Sequence, residues 1–367
     1  MTKQSPARAP YAHRIAAAVA ALPLVLGLAA CGGSSAADSD SDAGASTGPA
    51  AELRLGYFAN VTHAPALVGV AGGHFEDALG ETKLTTQVFN AGPAAIEALN
   101  AGAIDATFIG PNPAINAYVK SNGESVRIVS GSTSGGAQLV VREGIDSPED
   151  LKGTAIATPQ LGGTQDVALR AWLSEQGLAN DLQGGGDVAV TPTENAQTLT
   201  LFQNGEIDGA WVPEPWASRL VLDAGAHVLV DEADLWDDGE FLTTHLIVAT
   251  EYLEQHPETV EALIRGELAA IDAIEADTEQ AKVLVNGEIE KESGKPLSDA
   301  VLDRAFENIS FTVDPLAGTL DQLLADGVTA GTTQEADLNG IYDLSILNSV
   351  LADEGRDPVS AAGLGKE

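Results

Sequence analysis

The sequence predicts an α/β protein of two similar lobes, each a mixed sheet flanked by helices, with two crossover strands as the hinge between them. Three observations support this. The first is an internal repeat: residues 98–117, ALNAGAIDATFIGPNPAINA, lie over 201–220, LFQNGEIDGAWVPEPWASRL. Gly102 then faces Gly205, Ile104-Asp105 faces Ile207-Asp208, and Phe108-Ile109 faces Trp211-Val212. The second is a pair of apolar runs, AQLVVRE (137–143) and THLIVAT (244–250), at the borders of the second copy. The third is the recurrence of one local plan, in which an apolar strand passes through a polar loop into a helix. Blocks repeating in the same order indicate two copies of one supersecondary unit.

The elements follow in chain order. Residues 1–31 begin with Lys3, Arg8 and Arg14, continue as an apolar run too short for a stable membrane span, and stop at the only cysteine. That pattern reads as an export signal, and a lone Cys31 cannot form an internal disulfide. Residues 32–51, rich in Gly, Ser, Ala and Asp, read as a flexible tether. LRLGYFANVTHAPALVGV is then strand, loop and helix, and VFNAGPAAIEAL repeats that plan ahead of the first copy. In the second lobe TAIATPQLGGTQDVALRAWL and VTPTENAQTLTLF take the equivalent places. Each repeat ends a helix at a glycine and follows it with a short buried strand. The expected lobes are 52–140 with 246–352, and 141–245. Residues 251–352 read as mostly helical and are expected to pack back onto the first lobe. PETVEALIRGELAAIDAI is their clearest amphipathic stretch. The tail, 353–367, is weakly patterned and open to disorder.

Ligands of open parallel sheets bind beyond the carboxyl ends of the strands, where loops lead into helix starts. Four such entrances stand out: GYFANVTHAPALV, FIGPNPAINAYV with Asn112 as cap, ATPQLGGTQDVAL with Thr164 as cap, and WVPEPWASRL with Glu214 in the capping place. Proline suits the first helical position, as in three of these four, because its missing N–H has no partner there. Each entrance leaves unpaired N–H groups and roughly half a positive charge of dipole. Gly162 and Gly163 allow a ligand close to the backbone. A helix mouth without lysine can therefore hold a small anion if neutral donors such as Thr164 and Gln165 assist. The alternative for any one entrance is a cap that only closes its own helix.

Other chemistries lack their motifs. GGTQD does not extend to G-x-x-x-x-G-K-[ST], and no G-x-S-x-G, H-E-x-x-H or C-x-x-C is present. The histidines are not at metal-ligand spacing, so no metal and no cofactor is expected. His63, on a cleft loop, and His245, on a crossover strand, read as hydrogen-bond donors or structural histidines. Trp211 and Trp216 suit either an apolar ligand wall or core packing. Glu214 suits either a helix cap or a partner for a ligand amine. A formal charge of −36 argues against nucleic acid and anionic membrane surfaces as partners.

Taken together, LRLGYFANVTHAPALVGV, NAGAIDATFIGPNPAINAYV, SGSTSGGAQLVV, ATPQLGGTQDVALRAWL and IDGAWVPEPWASRL resemble the solute-binding lipoproteins of ABC importers, in the aliphatic sulfonate, taurine and nitrate group. Leu28-Ala29-Ala30-Cys31 is similar to their lipobox, in which the cysteine carries lipid. The resemblance implies a periplasmic-binding-protein fold of the second type, capture of a small oxyanion between lobes, and delivery to an ABC permease. It further implies a monomer held outside the cytoplasm by a lipid anchor alone. The site residues it implies are Asn60, Thr62, His63, Gly110, Pro111, Asn112, Ser134, Gly136, Gln160, Thr164, Gln165, Trp211, Glu214 and His245. Loops without basic residues suit a singly charged sulfonate, whereas a phosphonate dianion would call for Arg or Lys. Nitrate and bicarbonate binders are the nearest alternative. An enzyme similar to thiamine-pyrimidine synthases would need a cysteine-rich segment that this chain lacks.

Overall fold

A computed structural model describes residues 48–367, so the export signal, Cys31 and nearly all of the tether lie outside the described residues. From the start, the chain runs β1 (Glu52–Phe58), α1 (Ala64–Ala71), α2 (His74–Leu79), β2 (Lys83–Phe89), α3 (Gly92–Asn100), β3 (Ala106–Ile109), α4 (Pro111–Lys120) and β4 (Val126–Gly135). It continues with β5 (Ala137–Val141), β6 (Ala155–Thr158), α5 (Thr164–Glu175), β7 (Ala189–Pro192), α6 (Asn195–Asn204), β8 (Gly209–Pro213), α7 (Trp216–Ala224) and β9 (His227–Asp231). The remainder is β10 (Leu242–Ala249), α8 (Thr250–Gln255), α9 (Pro257–Ala276), α10 (Thr278–Ser293), α11 (Asp299–Glu307), β11 (Ile309–Phe311), α12 (Leu320–Thr329), β12 (Tyr342–Asp343), α13 (Ser345–Asp353) and β13 (Gly365–Lys366).

These strands form two sheets. The larger has the order β13-β12-β4-β10-β3-β1-β2, with β11 paired to β4, and the smaller is β7-β6-β8-β5-β9. The repeat is visible in the ladders. β1 lies parallel between β2 and β3, as β6 lies parallel between β7 and β8. An antiparallel strand, β10 or β5, then follows beside the third. β3 and β8 are buried along their whole length, which is why both read as unbroken apolar runs. α6 ends at Gly205 with φ 78°, a left-handed value that glycine adopts without steric cost.

The chain changes sheets between β4 and β5, where Gly135 and Gly136 have φ of 81° and 77°. It returns between Asp231 and Leu242. β5 therefore belongs whole to the smaller sheet and β10 whole to the larger, and both exchanges fall a few residues ahead of the expected boundaries at 141 and 246. The C-terminal helices also reach further than expected. α9 packs on α1 and α2, but α11 packs on α7 and α12 on α5, so this region braces both sheets. The tail is not loose. β13 pairs with β12, Ala361 is buried, and Asn348 brackets the Val359 backbone through both its amide atoms. Its order comes from backbone pairing, which leaves no apolar period in the sequence.

Candidate functional site

At the junction of the two sheets lies a cavity of about 30 Å³, lined by residues that include Asn60, Thr62, His63, Gly92, Gly110, Thr164, Gln165, Asn195 and Thr243. Five helix starts meet there: His63 precedes α1, Ala91 and Gly92 open α3, Gly110 caps α4, Gly163 caps α5, and Asn195 opens α6. None of the lining residues is Lys, Arg, Asp or Glu. The positive ends of the helix dipoles are thus the dominant field in the cavity.

The α5 entrance is held open from behind. Asp166, fully buried, accepts from Gly162 N at 2.9 Å, from Thr158 Oγ1 at 2.8 Å and from Arg170 Nε at 3.0 Å. This pins the Pro159–Gly163 loop to its own helix and engages the Arg170 guanidinium, which does not line the cavity. The first backbone bond of α5 runs from Val167 N to Gly163 O, so the N–H groups of Thr164, Gln165 and Asp166 precede it. At α6 the first such bond runs from Thr198 N to Glu194 O. Two buried side-chain oxygens on the cavity wall, Thr164 Oγ1 and Asn195 Oδ1, have no hydrogen-bond partner in the protein. Buried polar atoms without partners are costly, and here they mark the place a ligand would satisfy.

His63 is 2% exposed, and burial lowers its pKa to about 3, so its ring is neutral at ordinary pH. Its Nδ1 faces the Phe58 N–H at 3.4 Å, which leaves Nε2–H as the donor. Asn60 is oriented by Trp216, whose Nε1 donates to Asn60 Oδ1 at 2.8 Å, so the Asn60 amide nitrogen remains a donor. The halves are in contact at this point. A Cβ built on Gly110 would come within 2.2 Å of Thr164 Oγ1, across the junction of the sheets.

Six of the expected site residues line this cavity: Asn60, Thr62, His63, Gly110, Thr164 and Gln165. The others are placed elsewhere. Pro111 is the first residue of α4, and Asn112 donates to Leu323 O at 3.0 Å and faces a second cavity. The caps accordingly sit earlier than expected, at Gly110 and Gly163. Ser134 donates to Phe241 O at 2.8 Å, and Gly136 O accepts from Glu214 N at 2.8 Å at the sheet crossing. Gln160 lends its carbonyl to Gly163 N at 3.0 Å. Trp211 is a core residue, edge-on to Trp172 and bonded through Nε1 to Glu232 at 2.7 Å. His245 is fully buried in β10 beside the Gly110 backbone, and burial lowers its pKa to about 3.

Glu214 resolves to the capping role. One oxygen accepts from Ser218 N at 3.0 Å, at the start of α7. The other accepts from Arg304 Nη1 at 2.9 Å and Asn308 Nδ2 at 2.7 Å, both on the C-terminal side of the chain. Burial nonetheless raises its pKa, with these donors working against the shift. Asn195, Gly92 and Thr243 were not anticipated. Asn195 stands at the repeat position of Gly92, and extending the same offset to the α3 and α6 starts would have found both.

Two mixed sheets, matched strand for strand, with helix starts converging on a small cavity at their junction, define the class of periplasmic binding proteins. The chain belongs to the NMT1-like family, which it matches over residues 46–286. It is 29% identical over 209 residues to the taurine-binding periplasmic protein of Escherichia coli, an overlap of 57% of this chain and 62% of that relative. The fold is similar to that of the alkanesulfonate-binding protein SsuA from Xanthomonas axonopodis pv. citri bound to MOPS, with a TM-score of 0.65 and 22% identity, covering 78% of this chain and 95% of that one. It is also similar to the periplasmic nitrate-binding protein NrtA from Synechocystis PCC 6803, with a TM-score of 0.69 and 14% identity, covering 83% and 89%.

Proposed function

We propose that the protein is the extracytoplasmic solute-binding component of an ABC importer, which captures a small, singly charged oxyanion between its two lobes and hands it to a membrane permease. The observation that carries this reading is the meeting of five helix starts on a cavity whose walls bear no ionised side chain. Dipoles and neutral donors stabilise one diffuse negative charge well and a concentrated dianion poorly. An aliphatic sulfonate, taurine included, fits that rule, with its head group in the cavity and its chain directed outward. The lipobox Cys31 supplies the anchor in this reading, and the protein acts as a monomer.

A second reading, nitrate or bicarbonate, draws on the cavity volume of about 30 Å³. Such a space holds roughly two or three water-sized groups. A thermal-shift panel of taurine, short and long alkanesulfonates, nitrate, bicarbonate, sulfate and a phosphonate separates the two. Stabilisation by sulfonates supports the first, stabilisation by nitrate or bicarbonate alone supports the second, and silence across the panel removes both.

A further inference from the structure

A second and much larger cavity, about 810 Å³, lies between α5 and α12 and is flanked by the 232–240 segment and the C-terminal tail. Its size is that of a site for a small organic molecule. Its chemistry is opposite to that of the anion cavity. Seven carboxylates line it, among them Glu175, Glu232, Asp237, Asp314 and Asp326, and no Lys, Arg or His does. Leu235, Leu316 and Leu323 add apolar wall, and the rings of Trp172 and Trp236 border it.

Two further observations indicate an occupant. Asn112 is 3% exposed, its amide orientation is fixed by the bond from Nδ2 to Leu323 O, and its Oδ1 has no partner. A buried acceptor on the wall of a cavity calls for a donor from within it. Glu232, 2% exposed, takes a hydrogen bond from Trp211 but has no cationic neighbour, and burial together with Asp326 and Asp231 raises its pKa to about 8. Among the described residues no three His, Cys, Asp or Glu side chains come together to hold a metal ion. The acids are too widely spread for a point cation, so the fit is to a larger one.

We propose that this cavity binds an organic ammonium ion, its N–H groups directed to Asn112 Oδ1 and Glu232 and its carbon skeleton against the leucines and tryptophans. Aromatic faces and carboxylates both attract such cations. Because α5 packs with the smaller sheet and Asn112 lies in the first turn of α4, a helix of the larger one, the occupant would touch both halves of the molecule.

The test is thermal shift and calorimetry on the purified chain at fixed ionic strength, without any oxyanion from the panel above. The probes are benzylamine and 1,4-diaminobutane, with benzyl alcohol as the neutral match. Asp326→Asn removes charge inside the cavity, Glu232→Gln removes a carboxyl that a bound ammonium would ionise, and Glu292→Gln removes a carboxylate from an exposed position elsewhere. The expected result is that an amine stabilises the protein, that its affinity falls about tenfold in the two cavity variants, and that Glu292→Gln leaves it unchanged. No shift with either amine, an equal shift with benzyl alcohol, or equal affinity in all variants overturns the proposal. Because the oxyanion panel is read separately, failure here leaves the anion-binding reading untouched, and the reverse holds too.

Discussion

Trp216 Nε1 donates to Asn60 Oδ1 at 2.8 Å, tying the start of α7 in the smaller sheet's half to the β1–α1 loop of the other. The bond fixes the Asn60 amide with its nitrogen available as a donor, and does so by reaching across the junction where the anion would bind. Trp216→Phe keeps the ring and removes the donor. We expect roughly 1 kcal/mol weaker oxyanion binding, the usual worth of one such bond, with little change in melting temperature without ligand. Calorimetric titration of the variant checks this.

Gly110 and Thr164 face each other across the junction with no room for a side chain between them. Gly110→Ala places a methyl group 2.2 Å from Thr164 Oγ1, a separation that atoms do not tolerate. The halves must then part, and oxyanion affinity should fall by more than tenfold, or about 1.4 kcal/mol, while each half keeps its own packing. Thr164→Ala alone should cost roughly 0.5–3 kcal/mol in binding. In the double variant the two losses should fall short of their sum, because the second change relieves the clash made by the first. A double-mutant cycle measures the difference.

Glu214 is fully buried and its charge is balanced by Arg304, whose side chain is 21% exposed. Arg304→Met leaves a buried carboxylate with only neutral donors, which should destabilise the protein by roughly 3 kcal/mol. Adding Glu214→Gln should recover much of that loss. Chemical denaturation of the two variants decides it, and equal stability of Arg304→Met and the parent would remove Arg304 from this role.

The pH dependence of stability follows from four buried groups. His63 and His245 have pKa values lowered to about 3, so the unfolded chain binds more protons than the folded one below pH 6.5, and stability falls as pH drops from there. Glu232 and Glu267 are raised to about 8, so their contribution is complete below pH 4.5 and is lost as pH rises toward 8. The optimum should lie between pH 4.5 and 6.5, and Glu267→Gln should flatten the decline above it. A series of melting curves from pH 4 to 9 tests both statements.

The sequence carried the fold well because the fold repeats. The pairing of Ile104-Asp105 with Ile207-Asp208 is backed in space by matching bonds to the neighbouring strand: Asp105 accepts from Arg54 N at 2.8 Å, and Asp208 from Ala155 N at 2.9 Å. What periodicity could not carry was anything made by a single long-range contact. Asn112 looked like the cap of a cleft helix, but α4 starts at Pro111 and turns Asn112 toward Leu323, some two hundred residues away in the chain. Trp211 lies two residues ahead of a cavity residue, Pro213, yet its ring packs edge-on against Trp172 and bonds to Glu232 in the core. The tail was illegible for a related reason: two residues of β13 are ordered by pairing with β12, and pairing needs no particular side chain.

β10 sits between β3 and β4, although more than a hundred residues separate it in the chain from both. The smaller sheet, drawn entirely from 137–231, needs nothing from outside that stretch to complete its ladder. A nascent chain halted just short of Leu242 would therefore own one finished sheet and another parted down its middle. Order of synthesis and order of assembly are not the same in this molecule, and the inserted half is the one able to mature first.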